Sequence, residues 1–262
     1  MMDQIDPQVV PLFQGLLSLE QVYEKGREIQ RKALEREFNY RCVEGFYFLR
    51  IGLRKNPFFE HIQHKKALQD GCILEVGCAF GIDGRDLVLS QGVKRENYLG
   101  IDVSRTFIDL GFELFEDKDK MENCFAVKSI GDEDWVSFVK SKLKRVDVVV
   151  ATLVLHVIPK ECRDFVSKVY QLLEPYQGVF IGETMGIDLP DEEPFYFERH
   201  DSPRVCHTSV SLTKLFKSVG FKRVETIFLS RWTRGGEGIT ATCEEDEEKV
   251  KNRARLAFIA FA

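Results

Sequence analysis

The chain has 262 residues, 44% of them hydrophobic and 30% charged, with a net charge of -5 and a pI near 5.7. That length suits one α/β domain with a helical addition, and the composition is ordinary for a globular chain. The acidic balance argues against a general nucleic-acid binder, which carries a basic field; no apolar run reaches the length of a membrane span. The seven cysteines, Cys42, Cys72, Cys78, Cys124, Cys162, Cys206 and Cys243, form no C-x-x-C pair. Most lie in apolar runs and read as buried free thiols, which suits a reducing cytosol. The start, Met1-Met2-Asp3-Gln4, has no charged-then-apolar signal pattern. The expectation is a soluble cytoplasmic protein without a metal.

Residues 1–17 are mixed and read as partly ordered at best. Ser18 to about Phe38 carries Leu19, Val22, Ile29 and Leu34 at helical spacing among many charges and predicts an amphipathic helix. Residues 41–53, with Phe46, Tyr47, Phe48, Leu49 and Ile51, predict a dense aromatic helix, and Asn56-Pro57 opens a short one to about His64. Together 1–64 form an expected helical cap ahead of a core at 65–262. Strand and helix then alternate: strand 72–76, helix 83–91, strand 97–102, helix 105–115, strand 124–128, helix 132–143, strand 146–152, helix 160–174, strand 177–183. Such alternation implies a parallel sheet covered on both faces. Residues 184–207 read as a long irregular insertion, of the kind that is usually functional or mobile. A helix at 209–219, a strand at 222–229 and a last strand at 255–261 complete the pattern. Between those strands, Glu244 to Glu248 is an acidic run that reads as a solvated hairpin loop and not a metal site.

The most informative stretch is Ile73-Leu74-Glu75-Val76-Gly77-Cys78-Ala79-Phe80-Gly81-Ile82-Asp83, followed by Tyr98-Leu99-Gly100-Ile101-Asp102. Two apolar runs each lead into an acid, the first through a turn of small residues. That is the layout of a nucleoside crevice at the carboxyl ends of parallel strands. A dinucleotide loop would read G-x-G-x-x-G, but Ile82 takes the third glycine's place. Asp83 stands at the helix start, where a carboxylate would repel a pyrophosphate. A ligand without phosphate, carrying a cationic sulfonium and ammonium, is not repelled, which points to S-adenosylmethionine. Asp102, 25 residues after Gly77, is suitably placed to accept hydrogen bonds from both ribose hydroxyls. The plainer alternative is that Glu75 and Asp83 are ordinary capping or turn acids.

This segment resembles motif I of the class I S-adenosylmethionine-dependent methyltransferases, with Asp102 matching the acid that closes motif II. The run Val146 to Ile158 resembles motif IV. More narrowly, Cys42-Val43-Glu44-Gly45-Phe46-Tyr47-Phe48-Leu49, Asn56-Pro57-Phe58-Phe59 and Phe80-Gly81-Ile82-Asp83-Gly84-Arg85-Asp86-Leu87 are similar to fungal methyltransferases of meroterpenoid and polyketide biosynthesis. The likeness covers about residues 35–225. It implies a Rossmann-like seven-stranded, mainly parallel sheet whose last strand inserts antiparallel between its neighbours. It also implies that Glu75, Gly77, Cys78, Ala79 and Gly81 border the cofactor's methionine part and that Val103 packs near the adenine. Ser129 and Ile130 would flank that base. Many relatives carry an acid where Ser129 stands, and Asp132 is a competing candidate. Ala151, Thr152 and Leu153 would lie beneath the sulfonium.

Methyl transfer from a sulfonium needs alignment and exclusion of water more than it needs a catalytic triad. His156, after the fourth strand, is the general-base candidate for a phenol or alcohol proton; the rival role is a backbone hydrogen bond that fixes its loop. A carboxylate acceptor would need no base. Arg199, His200 and Arg204 could then orient it, or be solvated loop charges. Tyr47, Tyr196 and Phe197 could wall an apolar acceptor, or simply pack. The expected function is O-methylation of a small apolar carboxylic acid or phenol in secondary metabolism. Two alternatives are methylation of a protein side chain or RNA, and a non-catalytic S-adenosylmethionine-binding module. The acceptor's identity and the oligomeric state are not in the sequence.

Overall fold

A computed structural model of the chain describes residues 5–13, 15, 17–36, 41–63, 67–199, 202–231 and 252–262. Cys243 and the acidic run 244–248 lie outside these residues, as does His200. The short continuous apolar runs form strands: β1 Ile73–Val76, β2 Tyr98–Asp102, β3 Phe125–Val127, β4 Val148–Thr152 and β5 Val179–Ile187. Two more, β6 Phe195–Arg199 and β7 Ser202–Cys206, make a separate two-stranded sheet. β8 Arg223–Arg231 and β9 Arg253–Phe261 complete the main sheet, whose order is β3-β2-β1-β4-β5-β9-β8. β9 lies antiparallel between β5 and β8, as the resemblance implies. The helices are α1 Leu19–Leu34, α2 Arg41–Glu44, α3 Phe59–Gln63, α4 Ala67–Asp70, α5 Ile82–Leu89, α6 Arg105–Phe115, α7 Lys118–Met121, α8 Trp135–Lys142, α9 Cys162–Leu173 and α10 Ser209–Val219. Among the described residues no helix is long and apolar enough to cross a membrane.

The chain divides into two compact units, residues 1–55 with 63–144, and residues 56–62 with 145–262. In the first, β1, β2 and β3 pair in parallel. α1 starts at a capping box, in which Ser18 and Gln21 bond each other's backbone N–H. Its apolar stripe of Val22, Ile29 and Ala33 joins one buried cluster with Phe48, Leu49, Phe80, Phe107 and Leu114.

The predicted helix at 41–53 does not form. α2 stops at Glu44, Phe46 turns left-handed with φ 57°, and 3-10 turns follow at 47–49 and 53–55. The reversal places the aromatics in a ladder. Phe46 stacks on Tyr23 at 5.6 Å, Phe48 on Phe80 at 4.7 Å, and Phe80 meets Phe107 at 5.1 Å. Burying those rings outweighs the local helical preference. Residues 7–12 are likewise more ordered than their composition suggests: they form a 3-10 helix capped by Asp6, with Val9 and Leu12 buried.

In the second unit, β4 and β5 are parallel, and Phe180 of β5 makes edge contacts with Phe165, Phe216 and Phe258. The expected irregular insertion at 184–207 is mostly regular. β5 continues to Ile187 in register with β9, and β6 pairs with β7 from Phe195 opposite Cys206 to Arg199 opposite Ser202. The hairpin has a period-two signature, with Phe195 and Phe197 on one face, 5.7 Å apart and stacked. Ile187 N–H donates to His207 O at 3.0 Å, and His207 N–H to Met185 O at 3.3 Å, tying the end of the hairpin to β5.

Candidate functional site

In the first unit the loop after β1 folds over the end of β2. Gly77 and Cys78 both donate their N–H to Ile101 O, at 2.8 and 3.1 Å, and Gly81 donates to Cys78 O at 2.7 Å. Gly77 and Gly81 have φ 71°, where glycine is at ease, and between them Ala79 is held at φ 48°. A non-glycine in the left-handed region is a strained position kept by its surroundings. Here the holding contact is Asp102, whose Oδ2 accepts the Ala79 N–H at 2.9 Å while Oδ1 accepts the Ser104 N–H at 2.8 Å.

That arrangement leaves each carboxylate oxygen with acceptor capacity, since a carboxylate has about four lone-pair sites. A buried acid anchored by backbone N–H groups, with acceptor capacity left over, is suited to a vicinal diol. Burial pushes its pKa up, opposed by the backbone N–H donors. Beside it Val103 is 72% exposed, an apolar surface suited to a flat base. The Asp102 acceptors and the exposed Val103 thus fit a ribose and an adenine.

Glu75 is buried in β1, where it accepts a hydrogen bond from the Tyr98 hydroxyl. Burial, then the nearby Asp83, push its carboxyl up to about 8, while Tyr98 opposes the rise. Cys78 is buried and its thiol is pushed far up by burial, which makes it a small packing residue here and not a nucleophile.

The predicted adenine contacts after β3 separate. Ser129 and Ile130 are half-buried, with Ser129 Oγ accepting the Gly131 N–H at 3.2 Å. The competing Asp132 is already engaged: its Oδ2 lies 2.9 Å from Lys128 Nζ and accepts the Ser129 N–H at 3.3 Å.

The acid at the start of α5 does something the sequence did not suggest. Asp83 Oδ1 accepts the N–H groups of Gly52 and Leu53, and Asp86 pairs with Arg54 at 2.7 Å. The two acids fasten the N-terminal segment to α5, and Asp83 does not cap the helix, whose N-cap is Gly81. Between them Arg85 forms a buried two-point pair with Asp117, at 2.7 and 2.8 Å, and its guanidinium lies 4.4 Å from the Phe115 ring centre. Gly81 leaves room for this, since a Cβ there would fall 2.7 Å from Arg85 Nη1.

In the second unit, Ala151 is buried, Thr152 is half-buried, and Leu153 is held at φ 59° by donating its N–H to Glu183 O at 2.7 Å. His156 is half-buried on the 3-10 turn Leu155–Val157. Tyr196 is 62% exposed on the hairpin. Phe197 is half-buried against Phe195, Arg199 ends β6, and Arg204 donates to Pro203 O at 3.0 Å. In the first unit, Tyr47 is half-buried under the Arg50 guanidinium, 4.6 Å from its ring centre.

The sequence reading missed Tyr98. The signal available was a pair of glycines, Gly84 and Gly100, inside a helix and a strand where glycine is otherwise unfavourable.

Residues 74–180 match a family model described as a methyltransferase domain. The chain is 29% identical over 230 residues to the O-methyltransferase atr3 of Stereocaulon alpinum, covering 83% of this chain and 63% of that protein. It is 29% identical over 240 residues to the methyltransferase trt5 of Aspergillus terreus, covering 90% and 80%. It spans little more than half the length of several other curated relatives it matches. Among solved structures, the N-terminal domain of EvdMO1 with S-adenosylhomocysteine bound shares the fold at a TM-score of 0.55 and 15% identity, covering 90% of this chain and 96% of that one.

Proposed function

Starting from this chain's membership in the class I S-adenosylmethionine-dependent methyltransferases, we propose that it O-methylates a small, largely apolar carboxylic acid or phenol of fungal secondary metabolism. The observation that carries the cofactor half is the buried Asp102 carboxylate at the end of β2, held beside the Gly77 to Gly81 bend by the backbone N–H groups of Ala79 and Ser104. The names of the relatives, O-methyltransferase among them, support the oxygen acceptor, and the acidic net charge favours a small molecule over RNA.

When bound, S-adenosylmethionine supplies a methyl group made electrophilic by its sulfonium and leaves as a neutral thioether. Asp102 accepts the ribose hydroxyls, Val103 covers one face of the adenine, and Glu75 receives the α-ammonium. The bend at Gly77, Ala79 and Gly81 allows close backbone approach. Ala151, Thr152 and Leu153 offer an apolar, water-excluding strand end. His156 takes the proton from a phenol acceptor as its oxygen attacks, because an imidazole titrates near neutrality. A carboxylic acid acceptor is already ionised at neutral pH and needs no such group.

The test is methyl transfer from labelled S-adenosylmethionine to paired phenol and carboxylic acid acceptors, with His156→Ala alongside the wild type. The variant should lose about 100-fold or more on the phenol, the usual scale of general-base catalysis, and little on the acid. Equal rates on both would remove the base role. An absence of transfer to every small acceptor, with cofactor binding intact, would remove the small-molecule reading.

A further inference from the structure

Tyr98 is wholly enclosed in β2, and its ring occupies space that two other positions leave. A Cβ on Gly84 of α5 would collide with the Tyr98 hydroxyl, and one on Gly100 would fall 2.6 Å from it. Phe125 closes the far side edge-on, with ring centres 5.8 Å apart. A phenol seated this way cannot swing, and its hydroxyl is bonded to Glu75.

A buried tyrosine needs a partner for its hydroxyl, but that need alone does not explain the choice of Glu75. Phenylalanine would fill the same space and leave no polar group to satisfy. The pairing instead spends the tyrosine's one donor on a carboxylate of β1, two residues before the Gly77 bend. We infer that Tyr98 is a positioning residue, whose phenol, seated where Gly84 and Gly100 carry no side chain, fixes Glu75's carboxylate for the amino-acid end of the cofactor. This rests on the cofactor site proposed above and adds to it the group that orients and charges Glu75.

The surroundings make the role consequential. Glu75 is faced by Asp83 and Arg85 from α5, Tyr98 and Asp102 from β2, and Cys78 from the loop. Burial first, then the carboxylates Asp83 and Asp102, push the Glu75 carboxyl up to about 8, and Tyr98 and Arg85, the latter already paired with Asp117, oppose them. An arriving α-ammonium favours the ionised form. Binding therefore expels the Glu75 proton to solvent, and the Tyr98 hydroxyl, which donates to the carboxylate, lowers the work of doing so. Without the hydroxyl the proton is held more tightly and binding weakens at neutral pH.

The experiment is calorimetric titration with S-adenosylhomocysteine, whose α-ammonium is held in the charged form by its own carboxylate, between about pH 6 and 8.5 in buffers of different ionisation enthalpy. Wild type, Tyr98→Phe, Glu75→Gln and the double variant are compared. Wild type should release close to one proton at pH 6 to 7, with the release shrinking as pH nears 8. Tyr98→Phe should bind about tenfold more weakly at pH 7, the effect of one pKa unit on Glu75, and should still release a proton at pH 8. Glu75→Gln should show no such release, and adding Tyr98→Phe to it should change little.

A proton release at pH 8 no larger in Tyr98→Phe than in wild type, or the same loss of affinity in the Glu75→Gln background, would overturn the inference while leaving the cofactor site standing. Failure of wild type to bind S-adenosylhomocysteine would overturn both. Should Tyr98→Phe not fold, infrared spectra of wild type decide instead. A protonated-carboxyl band that is absent from Glu75→Gln and disappears on adding S-adenosylhomocysteine supports the inference; a band unaffected by ligand sinks it.

Discussion

Leu53 donates its backbone N–H to Asp83 Oδ1 at 3.0 Å, and Gly52 donates to the same oxygen at 2.8 Å. One carboxylate at the start of α5 thereby fixes the end of the N-terminal segment beside the loop that precedes the helix. Burial pushes Asp83's pKa up, against the pull of these two donors. Asp83→Ala should destabilise the protein by about 2–3 kcal/mol, the scale of hydrogen bonds to a charged group with a buried donor left unpaired. It should also make the chain near Arg54 and Lys55 more sensitive to trypsin. Urea unfolding and limited proteolysis measure the two effects, and wild-type behaviour in both would show that the contact is incidental.

Asp102 holds Ala79 in its left-handed turn, and the proposed function gives it a second job, offering oxygens to the ribose diol. Asp102→Ala should weaken S-adenosylhomocysteine binding by about 30- to 100-fold, equivalent to roughly 2–3 kcal/mol. Ala79→Gly in the same background separates the jobs, because glycine adopts the turn without help. If the affinity returns with that second change, Asp102 acts through the loop and not through the ribose.

Arg85 and Asp117 form a buried ion pair with both carboxylate oxygens engaged. Removing one partner from such a pair strands a charge and costs about 3–5 kcal/mol. Asp117→Asn should approach that loss in chemical denaturation. The paired change Arg85→Met with Asp117→Leu should lose less, since it strands no charge and costs only the bonds that Arg85 donates to the Phe80 and Gly81 carbonyls. A double variant as unstable as the single one would mean that the aromatic rings around the guanidinium carry the stability.

His207 is buried after β7, with Nδ1 3.3 Å from Ser211 Oγ and Nε2 4.0 Å from Cys162 Sγ. Burial lowers its pKa to about 4. The folded state therefore keeps it neutral where the unfolded chain takes up a proton. Its contribution to stability is complete above about pH 6.5 and is lost as pH falls toward 4, reaching on the order of 3 kcal/mol. His207→Asn should flatten this part of the stability profile between pH 7 and 4. Parallel profiles for the two proteins would show that the histidine titrates normally.

Much of the architecture is written locally. The apolar runs at β1, β2, β4 and β5, the small-residue bend from Gly77 to Gly81 and the acid at Asp102 are each readable because a buried parallel strand and a tight turn demand particular residue types over a few positions. The parts that were not legible depend on contacts between residues distant in sequence. A run of aromatics at 46–51 looks helical until the packing on Tyr23 and Phe80 is known. That Asp83 anchors the distant Gly52 and Leu53 is invisible until their N–H groups are seen to donate to it. Gly84 and Gly100 look like weak points until the Tyr98 ring fills the space between them. Sequence alone therefore determined the alternation of the core strands and helices and the small-residue bend after β1. Only the tertiary structure decided what its buried charges hold, because the worth of a carboxylate is set by the donors and the desolvation that folding brings to it.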